Sequence, residues 1–337
     1  GLGSSRGGGA ESAPLPRDPL VDCGVRAGFV PTRAPVRARL VCQPIRMVKL
    51  AELLRYLPLH GYLSTVIRLC AWLLIVAVIF LPLERLCALH PRAILRRSTL
   101  GDVGFYFISG LVPGLLLAVP LSVAAYVAYH FVPWRVHHAV AAWPLWLRGL
   151  AAFVVGDLGF YWGHRWAHEI PFLWRFHAVH HSPEHVYFLV SSRAHPIDFV
   201  FIRLCGLIPI YILGLGAPQS VKGTLVATMV MLAVTVWGFF IHANIRWRLG
   251  PLEWLVSTPA FHHWHHTLAE PRDRNYASML PWMDRLFGTH HLPRREWPAA
   301  YGIDAKLPGS VVGQLIYPLR EPVDAAVGAP TGVKPAE

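Results

Sequence analysis

Apolar residues in this chain run in long unbroken stretches instead of alternating with polar ones. Leu63 to Leu83 is one such stretch, with Arg68 near one end. Val103 to Val132 is longer and contains Pro113, Gly114 and Pro120. Trp143 to Tyr161 is a third, Phe199 to Leu215 a slightly short fourth, and Val221 to Ile241 a fifth. A helix that crosses a bilayer needs about 20 such residues, and lipid offers no partner for an open backbone, so the runs predict α-helices. The pattern therefore reads as an all-α integral membrane protein with about four to six spans. The Val103–Val132 run fits either one kinked helix or a tight helical hairpin. The link Gly216-Ala-Pro218 is so short that the fourth and fifth runs should form an antiparallel hairpin.

The ends of the chain lack this pattern. Residues 1–46 are rich in Gly, Pro, Ser and Arg without apolar periodicity, a composition that buries no core and predicts an unstructured extension. The first methionine is Met47, which makes Met47-Val-Lys-Leu a plausible start and the preceding stretch a leader or a transit peptide. Across the chain, hydrophobic residues make up 54% and charged residues only 15%, against roughly 25% charged in soluble domains. The net charge of +12 would point to nucleic acid in a soluble protein. Here the arginines flank apolar runs, as in membrane proteins, so a nucleic-acid partner is not expected. Arg85, Arg92, Arg96 and Arg97 lie between the first two runs and place that loop in the cytoplasm by the positive-inside rule. The five cysteines are scattered and include no C-x-x-C pair, so neither a disulfide framework nor a thiolate metal site is indicated.

Against this apolar background the histidines stand out. Twelve of nineteen fall between His164 and His266. His164-Arg-Trp-Ala-His168 has i, i+4 spacing, so both rings share one helix face. His177-Ala-Val-His180-His181 and His262-His263-Trp-His265-His266 each repeat H-x-x-H-H. Neighbouring residues in a helix are about 100° apart, so His180 and His181 are placed to serve two different metals. Neutral imidazole is the commonest metal ligand, and the segment order puts all three clusters on one membrane face, the cytoplasmic one. His195 and His242, each where an apolar run meets that face, are candidates to complete the ligand set. His185 and His263 sit off the repeated spacing and read as bystanders, and the remaining histidines read as solvated or interfacial. Asp157 precedes His164 by seven residues on the same helical stripe. An acid inside a membrane segment is costly and usually functional, so Asp157 is expected in the second shell, accepting the outer ring N–H of a metal-bound histidine.

Eight to ten nitrogen ligands exceed the four of a tetrahedral zinc. Glu169 follows His168, but no H-E-x-x-H pattern is completed, which disfavours a zinc protease. Ligands at helix ends instead of mid-membrane depth disfavour a bis-histidine haem. Oxygen activation by two irons fits best. From about Asp157 to Thr289 the chain resembles the fatty acid hydroxylase/sterol desaturase superfamily of integral-membrane non-haem di-iron oxidases. The resemblance rests on the ordered H-x-x-x-H, H-x-x-H-H and H-x-x-H-H boxes, on Arg-Ala-His195-Pro, His242-Ala-Asn244 and Thr258-Pro259, and on Asn275-Tyr276 with Trp282-Met-Asp284-Arg285-Leu-Phe287-Gly288-Thr289.

That resemblance implies O2-dependent hydroxylation or desaturation of a lipid C–H bond, with sterol, fatty acyl and related lipids as substrate classes. It implies two Fe ions held by His164, His168, His177, His180, His181, His262, His265 and His266, with His242 and His195 supplementary. No fused haem domain is evident, so a separate electron donor of ferredoxin or cytochrome type is implied. One departure is Ala277, where relatives commonly carry Gly directly after the Tyr. The domain reading is an extension at 1–46, N-terminal membrane segments at 47–142, a catalytic domain at 143–292 and a C-terminal tail at 293–337. Trp162, Trp166, Trp174 and Phe176 lie among the ligands and either wall a substrate channel or form an interfacial belt. Asp284 and Arg285 are expected to form a structural ion pair. The competing function is a metal-dependent membrane hydrolase or a non-catalytic metal-binding membrane protein.

Overall fold

The computed structural model describes residues 59–320 apart from 92, 94, 95 and 217–220. The extension at 1–46, Met47 and most of the Gly216-Ala-Pro218 link therefore lie outside the described residues. Among the described residues no β-strand forms, and only two isolated bridges occur, Ala88 with Ile245 and Thr267 with Tyr301. The helices are α1 (Leu59–Leu86), α2 (Arg97–Phe131), α3 (Trp134–Ala141), α4 (Leu145–Glu169), α5 (Pro171–His181), α6 (Pro196–Ile212), α7 (Val221–His242), α8 (Pro259–His265), α9 (Trp282–Leu286) and α10 (Val311–Arg320). Single 3-10 turns cover Phe188–Ser192 and Gly250–Trp254.

Among the described residues three helices, α1, α2 and α7, are long and apolar enough to cross a membrane. A fourth crossing is available if α3 and α4, bent by 119° at their junction, are taken as one broken span. The Val103–Val132 run is one helix, not a hairpin, with Pro113 and Pro120 inside it. The Phe199–Leu215 run becomes α6, whose 17 residues reach about 26 Å at 1.5 Å each, short of a ~30 Å hydrocarbon core. Side chains such as Leu63, Leu74, Val78, Leu115, Val119 and Met229 on α1, α2 and α7 remain exposed. In water these faces would be costly; against lipid they are not.

The helices that carry histidines start in a common way. Proline stands in the first turn of α5, α6 and α8 (Pro171, Pro196 and Pro259), where its missing N–H costs nothing. Thr258 caps α8 by accepting from the Phe261 N–H at 3.3 Å. The chain leaves the histidine cluster along α6 and returns to it along α7, which ends at His242.

Glycine sets the spacing of α4 against α6. A Cβ on Gly159 would lie 2.1 Å from the Cys205 carbonyl oxygen, one on Gly163 2.8 Å from the Cys205 Cβ, and one on Gly206 3.1 Å from the Gly156 oxygen. Small residues at helical spacing let membrane helices approach closely. The pairing of 156 with 206–210 and of 163 with 202–205 makes the helices antiparallel, so the His164 end of α4 meets the Asp198 end of α6. Elsewhere α1, α2 and α7 close around an aromatic cluster in which Phe80 stacks on Phe188 at 5.6 Å. The described part of the segment beyond residue 292, expected as a tail, folds back onto the helices. Gln314 of α10 accepts from Arg193 at 2.9 Å, and Tyr301 meets His263 at 2.8 Å.

Candidate metal centre

Nine of the ten histidines singled out from the sequence converge, in two groups. His164 and His168 of α4, His177 and His181 of α5 and His265 of α8 form one. His180 of α5, His242 at the end of α7, and His262 and His266 on and just beyond α8 form the other. Within each group the ligand nitrogens lie within 4.8 Å of one another. Helical twist makes the division: His180 and His181 fall into different groups, as do His265 and its neighbour His266. His168 is nearly enclosed, and the other eight are buried.

The outer ring nitrogens fix how these imidazoles are protonated. Nδ1–H donates to the Tyr276 carbonyl from His164 (2.7 Å), to Arg193 from His180 (3.0 Å), to Gly238 from His242 (2.7 Å) and to Arg274 from His265 (2.8 Å). Nδ1 of His177 meets the Asp198 carboxylate at 3.0 Å, and that of His168 meets Asp273 at 2.9 Å. A neutral imidazole that donates through Nδ1 holds a lone pair on Nε2. Those lone pairs face each other: His164 and His177 Nε2 are 3.2 Å apart, and His180 and His242 Nε2 are 3.3 Å apart. Further buried ring nitrogens have no hydrogen-bond partner, among them Nε2 of His168, His181 and His265 and Nδ1 of His262 and His266. Converging, unsatisfied lone pairs are unfavourable among themselves and favourable around a cation. Burial also keeps the rings neutral, pushing His177 down to about 3 and His180 to about 4. An all-imidazole set of this kind suits first-row transition metals such as iron, zinc, copper or nickel. The residues present fit two metal ions.

His195 stands apart from both groups. Its Nδ1 accepts from the Ile197 N–H at 3.2 Å as the cap of α6, and its Nε2 faces the Leu315 carbonyl at 3.1 Å. Asp157 also differs from expectation: its carboxylate accepts the backbone N–H groups of Met279 (3.1 Å) and Leu280 (2.8 Å), not a ring N–H. The acids that touch histidine ring nitrogens are Asp198 and Asp273. Asp198 left a signal in the sequence, being the one acid between Glu184 and Glu253 and standing at the head of an apolar run. Asp273 left none, because its contact with His168 spans 105 residues. His263 lies outside both groups: it is buried beside them and bound to the Tyr301 hydroxyl and, at 3.1 Å, to the Ala243 carbonyl.

The closing motif is a clamp on the ligand loop. Asp284 accepts from the Tyr276 N–H (2.7 Å), the Ala277 N–H (2.9 Å) and the Thr289 hydroxyl (2.7 Å), and Tyr276 in turn offers its carbonyl to His164. Arg285 is not the partner of Asp284; it donates to the carbonyls of Glu253 and Trp254 and covers the Trp254 ring at 4.1 Å. Asn275 takes the left-handed conformation (φ 61°), and its side chain ties Phe261 and His291. Ala277 is not among the residues with positive φ, so this turn does not require glycine there.

A cavity of about 680 Å³ opens between α1, α2, α4, α6 and α7 and reaches His164, His177, His180, His242 and His262, which come from both groups. That volume is within the ~300–1,000 Å³ usual for small-molecule sites. Its aromatic lining is Trp72, Tyr106, Phe160, Phe199, Tyr211 and Phe239. Trp162, Trp166, Trp174 and Phe176 do not line it; Trp174 packs against His168 and His181 at 5.1 and 5.6 Å.

Known proteins are similar to this chain over part of its length. The chain is 36% identical over 201 residues to the ornithine lipid hydroxylase OlsE of Rhizobium tropici, covering 59% of this chain and 58% of that one. It is 34% identical over 197 residues to the alkylglycerol monooxygenase of Danio rerio, covering 54% and 40%. It is 29% identical over 178 residues to methylsterol monooxygenase 2-2 of Arabidopsis thaliana, covering 52% and 65%. The chain thus spans about half the length of these relatives. No solved structure matches it. Residues 149–289 match the family model described as fatty acid hydroxylase, and that stretch carries all nine gathered histidines and the loop clamp.

Proposed function

We propose that this protein is a membrane-bound oxidoreductase that uses O2 and two iron ions to oxidise a lipid C–H bond, by hydroxylation in preference to desaturation. The observation that carries the proposal is the meeting of the apolar cavity with both histidine groups. A cavity between membrane helices takes a lipid chain laterally, and five histidines stand in its wall. Relatives named as an ornithine lipid hydroxylase, an alkylglycerol monooxygenase and a methylsterol monooxygenase support a lipid substrate.

An alkyl C–H bond gives acids and bases nothing to act on, so the bound irons supply the oxidising chemistry. The chain's own residues do the rest. His164, His168, His177, His181 and His265 would hold one ion, and His180, His242, His262 and His266 the other. Asp198, Asp273 and the carbonyls of Tyr276, Arg193, Gly238 and Arg274 keep Nδ1 protonated on His177, His168, His164, His180, His242 and His265, so that these six present the Nε2 lone pair inward. Val76, Ile202, Leu207, Ile210 and Phe239 hold the chain and exclude water. The histidines then face the cytoplasm, where a separate ferredoxin- or cytochrome-type donor delivers electrons.

The test is metal analysis of the purified protein together with lipidomics of cells with and without it. Two irons per chain and a lipid that gains one oxygen, or loses two hydrogens, only with O2 and reductant are expected. Zinc alone with reductant-independent turnover would refute the oxidase reading in favour of a hydrolase.

A further inference from the structure

Two carboxylates and one guanidinium stand at the wall of the large cavity: Asp157, Asp198 and Arg203. Both acids are committed, Asp157 to the amides of Met279 and Leu280 and Asp198 to His177. Arg203 is not. It has no hydrogen-bond or salt-bridge acceptor among the described residues, and its one polar-type contact is with the face of Phe199, 4.0 Å from the ring centroid. A guanidinium carries five donors and stays charged at any physiological pH. Placed in a largely apolar cavity with only an aromatic face beside it, such a group is poorly solvated, and a charge in apolar surroundings is costly until it meets a partner.

The helix also sets where this charge acts. Side chains on a helix lean toward its N-terminus, and Phe199, the ring beneath the guanidinium, is one turn nearer the start of α6 than Arg203. That start carries Asp198 and meets the histidines. The backbone rise from Asp198 to Arg203 is about 7.5 Å. A group bound by Arg203 would therefore lie in the cavity that the histidines also line, displaced toward the Asp198 end of α6.

We infer that Arg203 is the anchor for an oxyanion on the lipid substrate, a carboxylate or a phosphate, and that oxidation occurs near the polar end of that lipid. The inference rests on the lipid-oxidase reading for its meaning but not for its test. Planar paired donors favour bidentate binding of a carboxylate or phosphate, and Phe199 holds the fork in place from behind. A neutral glycerol ether or a sterol would leave the charge without its partner.

The test is binding, not turnover. The full-length, metal-loaded protein in phosphatidylcholine nanodiscs is given radiolabelled palmitate, lysophosphatidate or monopalmitoylglycerol, and retention is measured. At least tenfold tighter binding of one of the two anionic probes than of monopalmitoylglycerol is expected, and the preferred probe identifies the oxyanion. Arg203→Gln should lower affinity for that probe at least tenfold and leave monopalmitoylglycerol unchanged, while Arg203→Lys recovers part of the loss. Metal content and thermal unfolding of both variants should match the parent protein. Equal binding of all three probes would overturn the inference, as would equal loss of charged and neutral probes in Arg203→Gln. Failure of the oxidase reading would show instead as absent product with probe binding intact.

Discussion

Replacing Asp198 by alanine tests how the ligand set is oriented. Both carboxylate oxygens lie near His177 Nδ1, at 3.1 and 3.0 Å, and both side chains are buried. Removing the acceptor leaves a buried N–H without a partner, which costs about 1–3 kcal/mol. Independently, loss of an outer partner of a ligating histidine typically lowers metal affinity 10–100-fold, about 1.4–2.7 kcal/mol at 1.36 kcal/mol per decade. The two estimates agree, so Asp198→Ala should weaken one metal site by one to two decades. Asp198→Asn keeps a neutral acceptor and should fall between the alanine variant and the parent. The assay is competition with a fluorescent chelator, with thermal unfolding recorded alongside. Asp157→Asn is the control: its partners are backbone amides of the Met279–Leu280 loop, so it should leave metal affinity within about twofold and lower thermal stability. If Asp157→Asn lost metal while Asp198→Ala retained parental affinity, the assignment of the two acids would be reversed and the orienting argument wrong.

Gly159→Ala would set a Cβ 2.1 Å from the Cys205 carbonyl oxygen, backbone that cannot rotate aside. Separation of α4 from α6 should cost about 1–3 kcal/mol or more and appear as a lower unfolding temperature together with reduced metal content; an unchanged melt would contradict the close seam. His180→Ala should halve the bound metal and abolish product while the protein still inserts into membranes, as read by metal analysis and membrane fractionation. His263→Phe removes the partner of Tyr301 and of the Ala243 carbonyl, so it should lower stability by about 1–3 kcal/mol yet leave metal stoichiometry unchanged. Loss of one metal equivalent in that variant would make His263 a ligand.

Much of the site is legible in the one-dimensional pattern because it is local. The i, i+3 and i+4 spacings within α4, α5 and α8 come directly from helical geometry, and so does the divergence of His180 from His181. Long apolar runs likewise specify helices, because a backbone in lipid has no other way to satisfy its N–H and C=O groups. Tertiary structure decided what depends on separation along the chain. Asp198 reaches His177 across 21 residues, Asp273 reaches His168 across 105, and the Tyr276 carbonyl reaches His164 across 112. Asp157, read as an orienting acid because it shares a helical stripe with His164, turned out to hold a loop 122 residues away. A stripe on a helix says which way a side chain points but not which segment arrives there. The same holds for Arg203. Sequence places an arginine inside an apolar run, while only the arrangement of α1, α2, α4, α6 and α7 about the cavity shows that it stands in the wall that the histidines share, with both acids there already taken.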